Sequence, residues 1–443
     1  MLTPVSFSTR TLASHPHGES VERILCSAIR AVAPAEAVRR FVYRRGKFLI
    51  IDGHEYDLRK GGRILLFGLG KAARAMTLPI VEILADYSPR GLLIPKKDIG
   101  GSLTGFDIIP GGHPIPDENS LKAGRKTIEF LQGLGTNDLL ICLISGGGSA
   151  LMSAPYHGIS LSNLRELTSA LLACGAQIDE INTVRRHLDR LKGGGLARFA
   201  SPAQVVSLIL SDVVNSPLEA IASGPTAPDP STRSDALAVL NKYGVQNNLP
   251  ASILKALQTG PETLKPGDKL FERVQNVIVG SNLLAAESAL SQARSEGLNS
   301  RLLGSDWQGE ACKVGRDLCN LLKHSPEERP FCLVAGGETT VTLHGRGRGG
   351  RNQELALAAV NELAGQGDVM LVTLATDGED GPTDAGGAVV TGETLLRGQA
   401  TGLFPKAFLG DNDAYSYFSA LEDLLKPGPT GTNVNDLTLL FGF

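Results

Sequence analysis

No apolar run in this 443-residue chain approaches the roughly 18 to 20 residues that a membrane-spanning helix requires. No spanning helix is expected. Positive charge is not in excess either, since 43 Lys and Arg stand against 46 Asp and Glu, a net charge of −3. Without a global positive field, nucleic acid and anionic membranes are not expected partners, and any anionic small molecule must be held by local charges. The six cysteines, Cys26, Cys142, Cys174, Cys312, Cys319 and Cys332, form no CxxC or Cys/His spacing. Several sit in apolar runs, where a reduced thiol acts as a small hydrophobe, and a reducing cytoplasm fits them. Also missing are the GxSxG elbow, the HExxH zinc motif and the P-loop, which leaves serine-hydrolase and zinc-peptidase chemistry unsupported. The acids after residue 376 do not match calcium-loop spacing, because Glu379 stands third and no glutamate closes the loop. The first twenty residues lack the clear amphipathic pattern of a transit peptide and read as a frayed N-terminus.

What is present is the composition of a globular enzyme, 42% hydrophobic and 20% charged. The length exceeds what one core usually supports, so two domains are expected, 18–255 and 270–443, with the active site in a cleft between them. Residues 18–32 carry the 3.6-residue apolar period of an amphipathic helix that should pack on the sheet that follows. Strand candidates then alternate with helices: 63–67, a helix over 72–84, 91–94, a helix over 119–131, and 139–144. Further helices are expected over 162–173 and 178–188, and an apolar strand over 204–210. This is the βαβ rhythm of an open parallel sheet, giving an α/β fold. The second half restarts it with strands at 276–279, 300–303, 331–334, 339–343 and 369–375, and helices over 283–296, 309–322 and 352–364. The closeness of 331–334 to 339–343 predicts a hairpin and hence a mixed sheet.

The run Leu139 to Ile144 has no polar face, so it reads as a strand buried on both sides. It ends in Ser145, Gly146, Gly147, Gly148 and Ser149, whose glycines allow positive φ and whose amides can form an anion nest. A tight turn needing glycine only for packing is the plainer reading. After 63–67 comes GLGKAA, with Gly68, Gly70 and Lys71. It satisfies the loose dinucleotide pattern GxGxxA, a weak signal alone. A cation in the first helical turn opposes the helix dipole unless an anion is bound there, which turns Lys71 from a cost into a device. In GRGRGGRNQE, Arg346, Arg348 and Arg351 sit among glycines, and Arg351 with Asn352 opens a helix. Guanidinium groups there suit two-toothed contacts to phosphoryl or carboxylate groups. Asp212 follows the strand at 204–210, and Asp377, Glu379, Asp380 and Asp384 follow that at 369–375. Acids at strand ends can hold Mg²⁺ through water or accept a hydroxyl proton, or can simply cap turns. His113, in the stiff GGHPIPD loop, is a possible substrate contact.

These pieces together resemble the class II glycerate 2-kinases, whose C-terminal module is called MOFRL. The matching segments are GLGKAARAM (68–76), GGHPIPDENS (111–120), LISGGGSALM (143–152), IDEINTVRRHLDRLKGGGLA (178–197), SDV (211–213), IASGPTAPDPST (221–232), GGETTVTLHGRGRGGRNQELAL (336–357), ATDGEDGPTDAGGAVV (375–390) and GPTGTNVNDL (428–437). The resemblance implies a Rossmann-like parallel-sheet N-terminal domain and a smaller mixed α/β C-terminal domain. It implies transfer of the γ-phosphoryl group of ATP, with Mg²⁺, to the 2-hydroxyl of D-glycerate, by a monomer or homodimer. The family's catalytic lysine and arginine fall on Lys71 and Arg351. Asn215 and Ser216 depart from the glycine and acid of many relatives, which shifts the expected acidic role to Asp212. Nucleotide or substrate contacts are expected from Gly68, Gly70, Ser145 to Ser149, Asn352, Asp377 and Asp384, with Mg²⁺ near Asp212 or Asp377. An NAD(P)H-dependent hydroxypyruvate reductase is the alternative suggested by GLGKAA. It lacks the ribose-binding acid expected after the second strand, where Lys96 and Lys97 precede Asp98.

Overall fold

The computed structural model describes residues 7–97 and 100–443. Asp98 lies outside the described residues. The chain divides into two compact units, one of Ala37–Ser211 and Ser216–Val279, the other of Met1–Glu36, Asp212–Asn215 and Gly280–Phe443.

In the first unit a small antiparallel sheet, β1 (Val42–Arg45), β2 (Phe48–Ile51) and β3 (His54–Asp57), precedes the main one. The main sheet comprises β4 (Ile64–Leu69), β5 (Arg90–Ile94), β6 (Phe106–Ile108), β7 (Leu139–Ile144), β8 (Gln204–Leu210) and β9 (Val274–Gly280). Its spatial order is β6-β5-β4-β7-β8-β9, which within this sheet is the doubly wound order 3-2-1-4-5-6. The pairs β5–β6, β4–β5, β4–β7 and β7–β8 are parallel. Every residue of β7 is buried, as its unbroken apolar run requires. β4 and β7 are neighbours although the chain leaves them in opposite directions, so a crevice is expected beyond their carboxyl ends.

The second unit holds β10 (Asn299–Glu310), β11 (Phe331–Thr340), β12 (Val369–Ala375), β13 (Gly387–Thr391), β14 (Leu424–Leu425) and β15 (Asp436–Gly442). Their order is β10-β11-β15-β12-β13-β14, with β10–β11 parallel and the other pairs antiparallel. The sheet is mixed, but not through the expected hairpin. Residues 331–340 form one strand, because Gly336 and Gly337 continue it against β15 and a Cβ at Gly337 would lie 2.0 Å from the Trp307 carbonyl oxygen of β10.

Two expectations about organisation change. The helix Gly18–Val32 has the predicted bounds and buries Val21, Ile24, Leu25, Ala28, Ile29 and Val32. Its partner, however, is the helix Asn282–Ser295 of the second unit, not the sheet that follows. Arg23 pairs with Glu296 at 2.7 Å, and Ser27 meets Ser288 at 2.9 Å. The division after Val279 also lies beyond the expected 255–270 junction, because β9 completes the first sheet before the chain leaves it. Among the described residues no helix is long and apolar enough to cross a membrane.

Candidate active site

The loops after β4 and β7 are laced together at the carboxyl edge of the first sheet. Ser145 N–H donates to the Leu69 carbonyl at 2.9 Å, Lys71 N–H to the Gly146 carbonyl at 3.0 Å, and Ala72 N–H to Ser145 Oγ at 2.9 Å. Gly70, at φ +120°, allows this approach, since a Cβ there would stand 2.3 Å from Ser145 Oγ. Ser145 therefore caps the lysine loop, and its hydroxyl is already engaged.

Beyond it, among the described residues, the amides of Gly146, Gly147, Gly148 and Ser149 meet no protein acceptor. Four successive unpaired donors in buried or half-buried backbone are costly unless a ligand supplies acceptors, and an anion does so best. The plainer packing-turn reading accounts for Gly148, whose Cβ would lie 2.6 Å from Ala222, but not for the unpaired amides. A Cβ at Gly147 would stand 3.0 Å from His113 Cδ2 and 3.5 Å from Lys71 Cε, so a lysine stem and an imidazole both lie over the nest. Burial, then the charges of Lys71 and Lys96, hold His113 below the ordinary histidine value, so it is neutral at neutral pH. Ser223, in the left-handed turn Ala222–Ser223–Gly224, donates to Ser149 Oγ at 2.8 Å and fixes the far end of the loop.

In the second unit Arg351 begins the helix Arg351–Leu363. Its Nη1 donates to Glu338 Oε1 at 2.6 Å and its Nη2 to Asp436 Oδ1 at 3.3 Å, while Nε lies 2.6 Å from Asp436 Oδ2. Glu338 comes from β11 and Asp436 opens β15, so adjacent strands orient one guanidinium. Burial acts to lower the Arg351 value, but Asp436 and Glu338 more than reverse this and keep it charged. Asp380 caps the same helix, accepting from the Gln353 amide at 2.9 Å. Asn352 is 2% exposed, with Nδ2 3.4 Å from Asp380 Oδ1.

The GRGRGG loop is not an open nest. Arg346 N–H donates to Asp411 Oδ1 and Arg348 N–H to Asp413 Oδ1, each at 3.0 Å, and Gly345 N–H donates to Asn412 Oδ1 at 3.0 Å. Its glycines let it lie against residues 411–413; a Cβ at Gly345 or Gly347 would come within 2.3 Å of that segment. Arg348 stacks over Tyr415 at 4.2 Å. Asp384 is exposed and held by Tyr415 at 2.7 Å and Lys426 at 3.2 Å. Asp377 is half-buried and caps the Glu379 amide at 3.2 Å. Asp212 is half-buried in the four-residue segment Asp212–Asn215 that groups with the second unit. Asn215 and Ser216, at φ 60° and 50°, occupy the left-handed backbone region that favours glycine. Among the described residues no three His, Cys, Asp or Glu side chains group as a metal-ligand set.

Sequence reasoning did not single out Glu338 or Asp436. An acid opening the apolar run at 436–442, as Asp212 follows 204–210, was the available signal.

The chain matches two family models, a domain of unknown function, DUF4147, over residues 20–258 and the MOFRL family over residues 331–436. It is 41% identical to a D-glycerate 2-kinase of Thermotoga maritima over 383 residues, covering 85% of this chain and 90% of that protein. It is 38% identical to a glycerate 2-kinase of Pyrococcus horikoshii over 428 residues, covering 94% and 95% respectively. A crystal structure of glycerate kinase from Thermotoga maritima superposes with a TM-score of 0.86 at 38% identity, covering 96% of this chain and 99% of that one.

Proposed function

Since the chain belongs to the DUF4147–MOFRL glycerate kinase family, we propose that it transfers the γ-phosphoryl group of ATP to the 2-hydroxyl of D-glycerate. The observation that carries this reading is the row of four amides under Lys71, unpaired among the described residues, beside the His113 ring. Phosphoryl transfer through a loose transition state needs positioning and charge stabilisation more than covalent chemistry. The Gly146–Ser149 nest holds an anionic group, and Lys71 and Arg351 stabilise the phosphoryl group as it moves from the leaving oxygen of ADP to the glycerate oxygen. The hydroxyl proton is released to Asp212, Asp377 or water.

Mg²⁺ commonly rests on substrate phosphates and only one or two carboxylates, a demand that Asp212 or Asp377 meets without a three-ligand cage. There it would neutralise phosphate charge. Six free cysteines suit a reducing cytoplasm.

The test is to incubate purified protein with ATP, Mg²⁺ and D-glycerate, follow ADP release, and locate the phosphate by phosphorus NMR. A parallel cuvette follows NAD(P)H oxidation with hydroxypyruvate. ADP release with phosphate on C2 is expected; NAD(P)H consumption without ADP release would sink the reading.

A pH dependence follows from the Arg351 clamp. Burial pushes the Asp436 carboxyl up to about 7, against the opposing pull of Arg351 and Asn352. As pH falls through that value the carboxylate takes up a proton and the ion pair loses its negative partner. We expect kcat to decline on the acid side, and Asp436→Asn to give a low rate without that limb, read from a pH profile at saturating substrates.

A further inference from the structure

The helix Ile178–Arg186 ends in two arginines with different surroundings. Arg186 is spoken for: its Nε lies 3.0 Å from Asp229 Oδ1, and its Nη2 donates to Thr183 Oγ1 and Ser231 Oγ, each at 3.1 Å. Arg185 is half-buried and donates once, to Thr168 Oγ1 at 3.3 Å. Among the described residues no carboxylate pairs with it, and burial holds its value below that of an ordinary arginine. A guanidinium has five N–H donors, so one drawn out of water with a single long hydrogen bond lacks both acceptors and counter-charge.

The missing partner has a place. Arg185 lines a small cavity with Thr168, Lys192, Asp189, Ser149 and Ser153. Lys192 is already committed, to Asp189 at 2.8 Å and the Met152 carbonyl at 3.1 Å. Asp189 is likewise filled, accepting from Ser153 Oγ and the amides of Ala154 and Leu191, each at 2.9 Å. The cavity therefore carries one uncompensated positive charge, on a planar fork. Its volume of about 20 Å³ admits one small group, not a whole substrate. Ser149, on its wall, also ends the nest of unpaired amides.

We propose that Arg185 anchors the carboxylate of the hydroxy-acid substrate, which makes this cavity the carboxylate subsite and sets selectivity for acids over neutral polyols. A monoanion with two acceptor oxygens matches the charge and fork of Arg185, whereas a dianionic phosphoryl group would exceed the charge. This rests on the kinase reading, and its test can fail separately from it.

The experiment compares wild type with Arg185→Gln in the full chain, using ATP with D-glycerate or with its neutral amide as acceptor. Expected are a rise in KM for D-glycerate of about 10- to 100-fold, an unchanged KM for ATP, and an equal collapse of the preference for acid over amide. Arg185→Lys should recover part of the preference, since it restores charge without the fork. Equal changes for acid and amide, or none, overturn the proposal and leave Arg185 as a helix-terminal cation. Should Arg185→Gln not fold, phenylglyoxal labelling of wild type read by mass spectrometry decides: D-glycerate shields Arg185 and the amide does not, whereas equal shielding or none overturns it. If wild type releases no ADP, the kinase reading fails, and calorimetric titration of D-glycerate still decides the anchor. Binding lost in Arg185→Gln supports it; binding kept in the variant, or absent from wild type, overturns it.

Discussion

Alanine at Lys71 or at Arg351 is expected to lower kcat at least about 100-fold, the usual cost of removing a preorganised charge from a site of charge development. The two losses should differ in their accompaniments. Lys71 is exposed and reaches over Gly147, so its removal leaves the β4–β7 loops laced through backbone bonds and Ser145. Stability should then be unchanged in a melt. Removing Arg351 leaves Asp436 buried beside Glu338 without its cation, so a lower melting temperature should accompany the lost rate. Near-normal turnover in either variant would remove that residue from the mechanism.

The second large effect is expected at the Lys192–Asp189 pair, where both side chains are 5% exposed. Lys192→Met keeps the stem and deletes the charge, leaving Asp189 buried with only hydroxyl and amide donors. A loss of about 3 to 5 kcal/mol is expected, as for other broken buried pairs. Lys192→Met combined with Asp189→Asn should recover much of it, since asparagine can still accept from Ala154 or Leu191 and no bare charge remains. Urea titrations of the two single variants and the double variant measure the coupling. If Lys192→Met is as stable as wild type, the pair is not holding this region.

Much of the first unit was legible in the sequence because its signals are local. The run at 139–144 has no polar face and so could only be a strand covered on both sides, and β7 has those bounds. Lys71 and the Gly146–Ser149 nest follow from strand ends in the same way. The errors came from pairings between distant parts of the chain. The periodicity of 18–32 marks one face for burial but cannot say against what, and helix Asn282–Ser295 rather than the neighbouring sheet receives it. The glycines at 345–350 look like a phosphate loop because close approach to a backbone and close approach to a ligand demand the same missing Cβ. Only the acceptors at Asp411, Asn412 and Asp413 tell the two apart. The place of Asn352 beside Arg351 likewise does not reveal its bond to Asp380, 28 positions later. Asp436 was overlooked because its partner, Arg351, lies 85 positions earlier.

The place of β15 between β11 and β12 bears on the order in which the protein can be made. Both neighbours emerge from the ribosome long before residues 436–442, and until then two strands carry unsatisfied inner edges. The first unit, whose strands are all synthesised by Gly280, can acquire its sheet while the second is still being translated. The cation clamp is therefore assembled last. Arg351 and Glu338 meet the buried carboxylate of Asp436 only when it has emerged, so a nascent chain can form the anion nest before its arginine is oriented.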